Sequence, residues 1–311
     1  MSNKTPILLI IFNRPETTQR VFDIVKEYKP KMLFIAADGP RKSKIGEDVK
    51  CNEARKITEN IDWPCKVKRL YQRNNLGCGV GPYKAISWFF KNVKEGIILE
   101  DDCLPDISFF QFCSEMLAKY RNIERIMHIG GNNFQKPYQQ NAYTYYFSKY
   151  PQSWGWATWR RAWEHYDFEM KDWPIVKKLK KFDIVFNSYM EKKYWHTIFD
   201  FNFYFKNKDI WDYQWVYAIW KNSGMAIIPD INLVKNIGFN SNATHTTNIL
   251  AIAKNLTLNK MRFPLKHPKS ISVDKLKDAY LFKNGYNNKL ITMVYIFVAR
   301  HYKIWQSRNL L

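Results

Sequence analysis

One stretch of the chain, residues 96–105, reads Gly96-Ile97-Ile98-Leu99-Glu100-Asp101-Asp102-Cys103-Leu104-Pro105. Its apolar half is typical of a buried strand, and that strand stops at three adjacent carboxylates. Open α/β sheets bind their ligands at the carboxyl ends of their strands. Because neighbouring carboxylates repel one another, a hard divalent cation with oxygen ligands would stabilise them. The stretch therefore predicts a cation site for a diphosphate.

Apolar runs alternate with amphipathic segments over the first hundred residues, which predicts a parallel sheet with helical crossovers. We expect strands at 7–12, 32–37, 66–71 and 97–99, and helices at 16–28, 47–60 and 80–92. A polar segment follows each strand: Asn13-Arg14, Asp38-Gly39, Arg73-Asn74-Asn75 and Glu100-Asp101-Asp102. These segments would gather at one edge of the sheet, and this convergence is the main reason to place a nucleotide there.

After Arg125 the pattern changes to aromatic-rich extended segments, expected at 126–129, 143–147 and 153–159. We expect helices at 183–206 and 213–221, a strand at 225–228, and an ordered loop at 232–245. The predicted fold class is α/β, with a mainly parallel, Rossmann-like sheet flanked by helices and followed by a helical, aromatic-rich region. The predicted division is a catalytic unit, residues 1–265, and a C-terminal extension, residues 266–311.

The net charge of +21 predicts an acidic partner, which could be nucleic acid, an anionic membrane face or a phosphorylated substrate. Five cysteines form an odd set without C-x-x-C spacing, which argues against a zinc ribbon and a disulfide framework. A reducing, cytoplasmic compartment fits that usage. The apolar run from Ile7 to Phe12 is too short for a signal-peptide core or a membrane span.

The acidic triplet has a structural and a functional interpretation. A strand can end in acidic residues because the following loop is solvated. Alternatively, Asp102 binds Mg²⁺ or Mn²⁺ that bridges a diphosphate, while Asp101 orders water or a ribose hydroxyl. Such an ion acts as a Lewis acid on the leaving group, so no proton donor is needed. The convergence of polar segments favours the functional interpretation.

Two loops at the same predicted edge are candidates for nucleotide contacts. Asp38 lies in Asp38-Gly39-Pro40, which is either an ordinary turn or a place where the carboxylate bonds a base or ribose edge. The glycine-rich segment 74–81 precedes a helix and resembles an anion-binding loop at a helix N-terminus. It is neither a G-x-G-x-x-G fingerprint nor a P-loop, so its signal alone is weak.

Three further features lie later in the chain. Asp212, among aromatic residues at a helix start, is either an N-cap or a general base. Trp154, Trp156 and Trp159 are expected on one face of a strand, either as core or as a surface for sugar rings. His245 is a lone histidine in a polar loop, either structural or a ligand. The chain has no H-x-x-x-H spacing and no G-x-S-x-G element, which argues against a zinc hydrolase and a serine hydrolase.

Taken in order, these motifs resemble those of a family. The relevant segments are Ile10-Ile11-Phe12-Asn13-Arg14-Pro15, Ala37-Asp38-Gly39-Pro40, Arg73-Asn74-Asn75-Leu76-Gly77, Leu99-Glu100-Asp101-Asp102 and Ser153-Trp154-Gly155-Trp156. Over roughly residues 5–250 the chain resembles bacterial GT-A-fold nucleotide-sugar glycosyltransferases of surface-polysaccharide clusters, distantly similar to N-acetylglucosaminyltransferase I. The resemblance implies a GT-A fold and transfer of a hexosyl or N-acetylhexosaminyl group from a nucleotide sugar, with UDP as the commonest nucleotide.

The resemblance also implies roles for individual residues. Asp102 would bind the metal, with His245 completing its coordination, and Asp212 would be the catalytic base of an inverting reaction. The remaining positions would border the nucleotide sugar: Phe12, Arg14, Asp38, Asn75, Gly77, Asp101, Trp154 and Trp156. The two tryptophans and the segment Gly131-Asn132-Asn133 would face the donor or the acceptor. The triplet begins with Glu100 and so departs from a strict D-x-D, which leaves the role of Glu100 open.

The tail, residues 286–311, combines the apolar run Leu290 to Ala299 with aromatic and basic residues. It fits an interfacial helix on an anionic inner membrane leaflet, as a lipid-linked glycan acceptor would require, or a helix packed on the domain. Two rival functions remain. A basic nucleic-acid-binding protein is disfavoured because no recognised module is present, so no nucleic-acid partner is expected. A sugar-phosphate nucleotidyltransferase is disfavoured because a basic, glycine-rich triphosphate loop is missing near the N-terminus.

Overall fold

The computed structural model describes residues 5–135, 142–238 and 256–286. The strands are β1 (Ile7–Ile11), β2 (Met32–Ala37), β3 (Lys66–Tyr71), β4 (Glu95–Glu100), β5 (Cys103–Pro105), β6 (Ile126–Gly130), β7 (Tyr145–Ser148), β8 (Trp156–Trp159), β9 (Met225–Pro229) and β10 (Val234–Asn236). The helices are α1 (Pro15–Tyr28), α2 (Glu47–Ile57), α3 (Gly77–Asn92), α4 (Ser108–Tyr120), α5 (Arg160–Trp163), α6 (Trp173–Lys178), α7 (Tyr189–Tyr204), α8 (Asp212–Lys221) and α9 (Lys275–Leu281), followed by a π-helical turn, Phe282–Tyr286.

Eight strands form one sheet in the order β3-β2-β1-β4-β8-β6-β9-β7, and β10 pairs with β5 in a small second sheet. Strands β1 to β4 are parallel. Strand β8 is antiparallel to both β4 and β6, and β9 runs parallel to β6. Six strands therefore share one direction, and their carboxyl ends lie at one edge. The predicted α/β class and mainly parallel, Rossmann-like sheet are confirmed, and the arrangement is consistent with a GT-A fold.

Two hydrophobic cores cover the two faces of the sheet, because successive residues of a strand point to opposite faces. Along β4, Ile98 packs in one core and Ile97 and Leu99 in the other, and all three are at most 1% exposed. Burying one such side chain fully contributes about 1.5–3 kcal/mol. The continuous apolar runs in the sequence are thus explained by helices packed on both faces of these strands.

Several predicted boundaries differ from the observed ones. Helix α3 begins at Gly77 rather than Val80. Helix α7 begins only at Tyr189, because the Ser188 side chain caps it by accepting a hydrogen bond from the Glu191 N–H group at 3.2 Å. The segment expected as a loop from residue 232 contains β10. Helix α4 and strand β5 had not been assigned from the sequence.

The described part of the C-terminal extension packs against the rest of the molecule. Lys266 exchanges hydrogen bonds with Thr144, and the Asp274 N–H group donates to the carbonyl oxygen of Phe147 in β7. Tyr286 is 6% exposed and belongs to one of the two cores. The proposed boundary at residue 265 stays a prediction. Within the described ranges, no helix has the length and apolar character needed to cross a bilayer.

Candidate functional site

The acidic triplet lies where expected, at the carboxyl end of β4, and its members point in different directions. Asp101 accepts a hydrogen bond from the Phe12 N–H group, with 2.9 Å between N and Oδ2. Asp102 pairs with Arg14, with 2.7 Å between Oδ2 and Nη1. Glu100 lies two residues after Ile98 and so shares the face of the sheet on which α8 packs. The predicted meeting of the β1 and β4 ends is confirmed.

Electrostatics at this edge follow from crowding of negative charge. Burial raises the pKa of Glu100, and the charges of Asp102, Asp101 and Asp212 raise it further. Burial and the charge of Asp102 also raise the pKa of Asp101. The Arg14 guanidinium opposes both effects, and despite burial its own pKa is raised by Asp101 and Asp102. Added positive charge at this edge would favour the ionised form of these carboxylates.

A divalent cation fits this edge through Asp102. The Asp102 side chain keeps 16% of its surface exposed, whereas Oδ2 of Asp101 is already bonded to Phe12. In the described ranges, no group of three or more His, Cys, Asp or Glu side chains could hold a metal ion. One protein carboxylate plus substrate phosphates is a common way of binding Mg²⁺. His245 lies outside the described residues; the preceding described residue, Gly238, lies against the Asp102–Arg14 pair.

The carboxylate of Asp38 organises the loop between β3 and α3. It accepts hydrogen bonds from the N–H groups of Gly39, Leu76 and Gly77 and from Nδ2 of Asn75, at 2.8–3.1 Å. The first N–H groups of α3 therefore bind an anion that the chain itself supplies. Burial raises the Asp38 pKa, and these N–H groups oppose the rise. Contacts of Asp38, Asn75 and Gly77 with a nucleotide stay predictions.

The first turn of α3 also positions the segment before α8. A Cβ atom on Gly79 would lie 2.2 Å from the Lys208 carbonyl oxygen and 2.6 Å from the Ile210 nitrogen. Glycine is thus required for this close approach. The segment leads directly to Asp212, which is the first residue of α8; the N-cap is Trp211, without a side-chain cap hydrogen bond. Asp212 lines a cavity with Trp154, and its charge reaches Glu100.

The tryptophans do not share one face, which corrects the expectation. Trp156 pairs with Ile98 and Trp159 pairs with Glu95. The two tryptophans are three positions apart along β8, so their side chains point to opposite faces of the sheet and enter different cores. Trp156 is 0% exposed, and its ring stacks with those of His128 and Trp211. Its contact with a nucleotide sugar stays a prediction. Trp154 precedes β8 and lines the cavity with Asp212.

One supporting residue, His128 in β6, had no role from the sequence. Trp215 Nε1 can only donate, so its 3.1 Å contact leaves Nδ1 of His128 unprotonated. The other ring nitrogen, Nε2, then donates to the Gln152 carbonyl oxygen at 3.1 Å. Burial lowers the His128 pKa to about 3. This neutral ring joins α8 to the loop before β8. The sequence signal that could have pointed to His128 is an isolated histidine in an apolar strand.

No family model matches the chain, and no curated protein matches it in sequence. Among solved structures it is similar to TarS 1-349 from S. aureus, with 8% identity and a TM-score of 0.41 over 74% of this chain. It is also similar to HddC from Yersinia pseudotuberculosis (10%, TM-score 0.33, 55% of this chain and 85% of that one). A third is 4-diphosphocytidyl-2C-methyl-D-erythritol synthase from Anaerococcus prevotii (12%, 0.34, 57% and 85%). The chain spans 59% of the TarS fragment, and similarities this distant assign no family.

Proposed function

We propose that this protein is a metal-dependent, inverting glycosyltransferase. It transfers a sugar from a nucleoside-diphosphate donor, with UDP the expected nucleotide, to a glycan or lipid-linked glycan in surface-polysaccharide biosynthesis. The observation that carries the proposal is the acidic triplet at the carboxyl end of β4, where Asp102 pairs with Arg14 at 2.7 Å. Asp212 lines a cavity with Trp154, and its charge raises the pKa of Glu100, which supports a candidate base beside a candidate diphosphate site.

In this mechanism Asp212 removes the proton from the acceptor hydroxyl as that oxygen attacks the anomeric carbon. The bond between the anomeric carbon and the diphosphate oxygen breaks in the same step, and its electron pair leaves with the nucleoside diphosphate. A single base carboxylate suffices because no covalent glycosyl-enzyme forms, unlike in retaining glycosidases.

The leaving diphosphate carries negative charge, which the mechanism has to neutralise. Arg14 lies beside Asp102 and can donate charge-assisted hydrogen bonds to phosphate oxygens. Asp102, with His245 as the expected second ligand, would hold the divalent cation, Mn²⁺ or Mg²⁺. When bound, that cation supplies Lewis-acid stabilisation of the developing negative charge.

A thermal-shift panel of nucleotides tests the proposal. The wild type and Asp102→Asn are heated with nucleoside diphosphates, nucleotide sugars and nucleoside triphosphates, with and without Mn²⁺. At about 100 times its Kd a ligand stabilises the native state by about 2.7 kcal/mol, which corresponds to a rise in Tm of roughly 4 °C for a chain of this length. We expect such a shift for one diphosphate and its nucleotide sugars, only with Mn²⁺, and its loss in Asp102→Asn.

The matched control is Asp183→Asn, which removes an exposed carboxylate paired with Lys192 and should keep the wild-type shifts. A preference for a triphosphate, with release of pyrophosphate, would replace the proposal with a nucleotidyltransferase. Absence of any nucleotide shift, together with salt-sensitive binding of DNA or RNA, would favour the nucleic-acid-binding alternative.

The expected location is the cytoplasm, at the inner face of the membrane that carries a lipid-linked acceptor. The part of the tail expected to bind that face, residues 287–311, lies outside the described residues. We expect the full chain to float with phosphatidylglycerol vesicles and a chain ending at Tyr286 to lose this binding. Equal flotation of both chains would remove the tail from membrane binding.

A further inference from the structure

Asn132 carries a buried side-chain amide that has no hydrogen-bond partner among the described residues. It lies two residues beyond β6 and is 1% exposed, and neither Oδ1 nor Nδ2 has a partner within the described ranges. Both polar side-chain atoms of its neighbour Asn133 are hydrogen-bonded. Nδ2 donates to the Asp230 carbonyl oxygen at 2.8 Å, and Oδ1 accepts from the Gln135 N–H group at 2.9 Å. Buried polar side chains are nearly always paired, so the state of Asn132 points to a ligand.

Asn132 is one of the residues around a cavity that is also lined by Asp212, the proposed base. The cavity measures about 90 Å³, which is well below the size of a pocket for a whole nucleotide. It suits one polar edge of a larger ligand. Its lining includes Asn132, Gln152, Trp154 and Asp212.

The sheet register aligns this cavity with the acidic triplet. Ile98 pairs with Trp156, and Trp156 pairs with Gly130. Two residues further toward the edge lie Glu100 at the end of β4, Trp154 before β8 and Asn132 after β6, which form a row along the edge. Adjacent strands lie about 4.8 Å apart, so the row extends roughly 10 Å from the end of β4 to the end of β6. A sugar attached to a diphosphate at Asp102 extends over such a distance.

We propose that Asn132 is the specificity-determining residue for the donor sugar, whose ring lies between the acidic triplet and β6 with one edge in this cavity. The inference rests on the proposed function and adds the binding mode of the sugar. Nδ2 donates to, and Oδ1 accepts from, adjacent substituents of the ring. Two adjacent hydroxyls or an acetamido group have this chemistry. The indole of Trp154 contacts the apolar C–H face of the ring.

Nucleotide-sugar binding with and without this amide tests the proposal. Dissociation constants are measured by calorimetry with Mn²⁺ for UDP, UDP-glucose, UDP-N-acetylglucosamine, GDP and GDP-mannose. The variants are Asn132→Ala and Asn132→Leu, the second of which keeps the branched shape of the side chain but is larger and apolar. We expect the Kd of the preferred nucleotide sugar to rise ~10-fold or more, because two hydrogen bonds in a buried site are lost. The Kd of the matching nucleoside diphosphate should change less than about 2-fold, within the usual scatter of distant substitutions.

Thermal stability separates this role from a structural one. Asn132→Leu should keep or raise the Tm of the ligand-free protein, since no hydrogen bond is lost, whereas Asn133→Ala should lower it. Asn222→Ala is the binding control, because Asn222 bonds the Ala218 carbonyl at the opposite end of α8 from Asp212.

Each outcome decides between named alternatives. If the Asn132 variants bind the nucleotide sugar more weakly but bind the nucleoside diphosphate as the wild type does, the inference is supported. The preferred sugar then shows whether Asn132 recognises hydroxyls or an acetamido group. Equal weakening of nucleotide and nucleotide sugar overturns it. Unchanged donor binding with a raised KM for the acceptor also overturns it and assigns the cavity to the acceptor. If the wild type binds none of the nucleotides, the proposed function itself fails.

Discussion

Nη1 of Arg14 lies 2.7 Å from Oδ2 of Asp102, so the carboxylate expected to bind a metal is already neutralised by a cation from the chain. Arg14 lies three residues beyond the end of β1, and Asp102 lies two residues beyond the end of β4. The two strands are neighbours in the sheet, which explains why residues so distant in sequence meet. A divalent ion that binds Asp102 must share this carboxylate with Arg14 or displace it.

The first prediction concerns this competition. Arg14→Met keeps most of the side-chain volume but removes the charge. In the absence of nucleotide, Mn²⁺ should raise the Tm of Arg14→Met more than that of the wild type, because Asp102 then has no competing cation. The Kd of the nucleoside diphosphate with Mn²⁺ should rise ~10-fold or more, the usual effect of losing a charged hydrogen bond.

Arg121→Met is the matched control, since Arg121 pairs with Glu95 on the surface. It should show the wild-type response to Mn²⁺. An equal Mn²⁺ shift in Arg14→Met and the wild type would show that the ion does not compete with Arg14 for Asp102.

The second prediction concerns the close approach at Gly79. In Gly79→Ala the new Cβ would clash with the backbone of residues 208–210, which leads to Asp212. We expect a loss of roughly 1–3 kcal/mol in stability and a fall in kcat that exceeds any change in KM for the donor. Unfolding in urea and steady-state kinetics measure both effects.

Gly81→Ala is the control on the same helix. Its Cβ would meet only the Asp38 carboxylate, at an ordinary 3.4 Å. Stability should rise by about 0.5–1 kcal/mol, because alanine is favoured over glycine inside a helix. Similar effects of the two substitutions would show that helix propensity, and not the contact with residues 208–210, decides the outcome.

The third prediction concerns the Asp38 carboxylate. In Asp38→Asn an amide nitrogen replaces one of the oxygens that accept from the loop, so a buried N–H group loses its partner. We expect a loss of about 1–3 kcal/mol in the free energy of unfolding. Asp48→Asn, on the exposed face of α2, should change stability by less than about 0.5 kcal/mol. Equal stability of both variants would contradict the role assigned to Asp38.

The fourth prediction is a pH dependence from His128. Its folded pKa, about 3, lies below the ordinary value of 6.5. Below pH 6.5 the unfolded chain binds a proton that the folded chain does not, so this group lowers stability as the pH falls from 6.5 toward 3. The slope is at most about 1.4 kcal/mol per pH unit. Urea unfolding at successive pH values should show a shallower acid loss in His128→Gln; an unchanged slope would contradict the buried, neutral ring.

The sequence was sufficient for the parallel half of the sheet. Apolar runs such as Ile7–Ile11 and Met32–Ala37 can only be buried on both faces, and the polar residues after them mark where each strand stops. Helix α3 was predicted with the correct end, but its start was placed three residues too late, because Gly77 and Gly79 favour a loop locally. The groups that stabilise its start, Asp38 and the backbone near Lys208, are distant in sequence.

Strand direction and strand pairing in the aromatic region could not be predicted from the sequence either. An apolar pattern does not show in which direction a strand runs. The antiparallel direction of β8, which brings Trp154 to the edge that carries the acidic triplet, was therefore known only from the structure. The unpaired state of Asn132 is likewise a property of its surroundings. Asn132 and Asn133 are the same residue type at adjacent positions, and only their partners distinguish them.

The most direct test of the central claim is Asp212→Asn assayed for both binding and transfer. The substitution keeps the shape of the side chain but cannot accept the proton of an acceptor hydroxyl. With the nucleotide sugar that stabilises the wild type, we predict a Kd within about 2-fold of the wild type, the usual scatter of unrelated substitutions. Transfer of the sugar to a glycan acceptor should fall by ~10²-fold or more, the usual contribution of a general base. Unchanged transfer with unchanged donor binding would remove Asp212 from the mechanism and contradict the account.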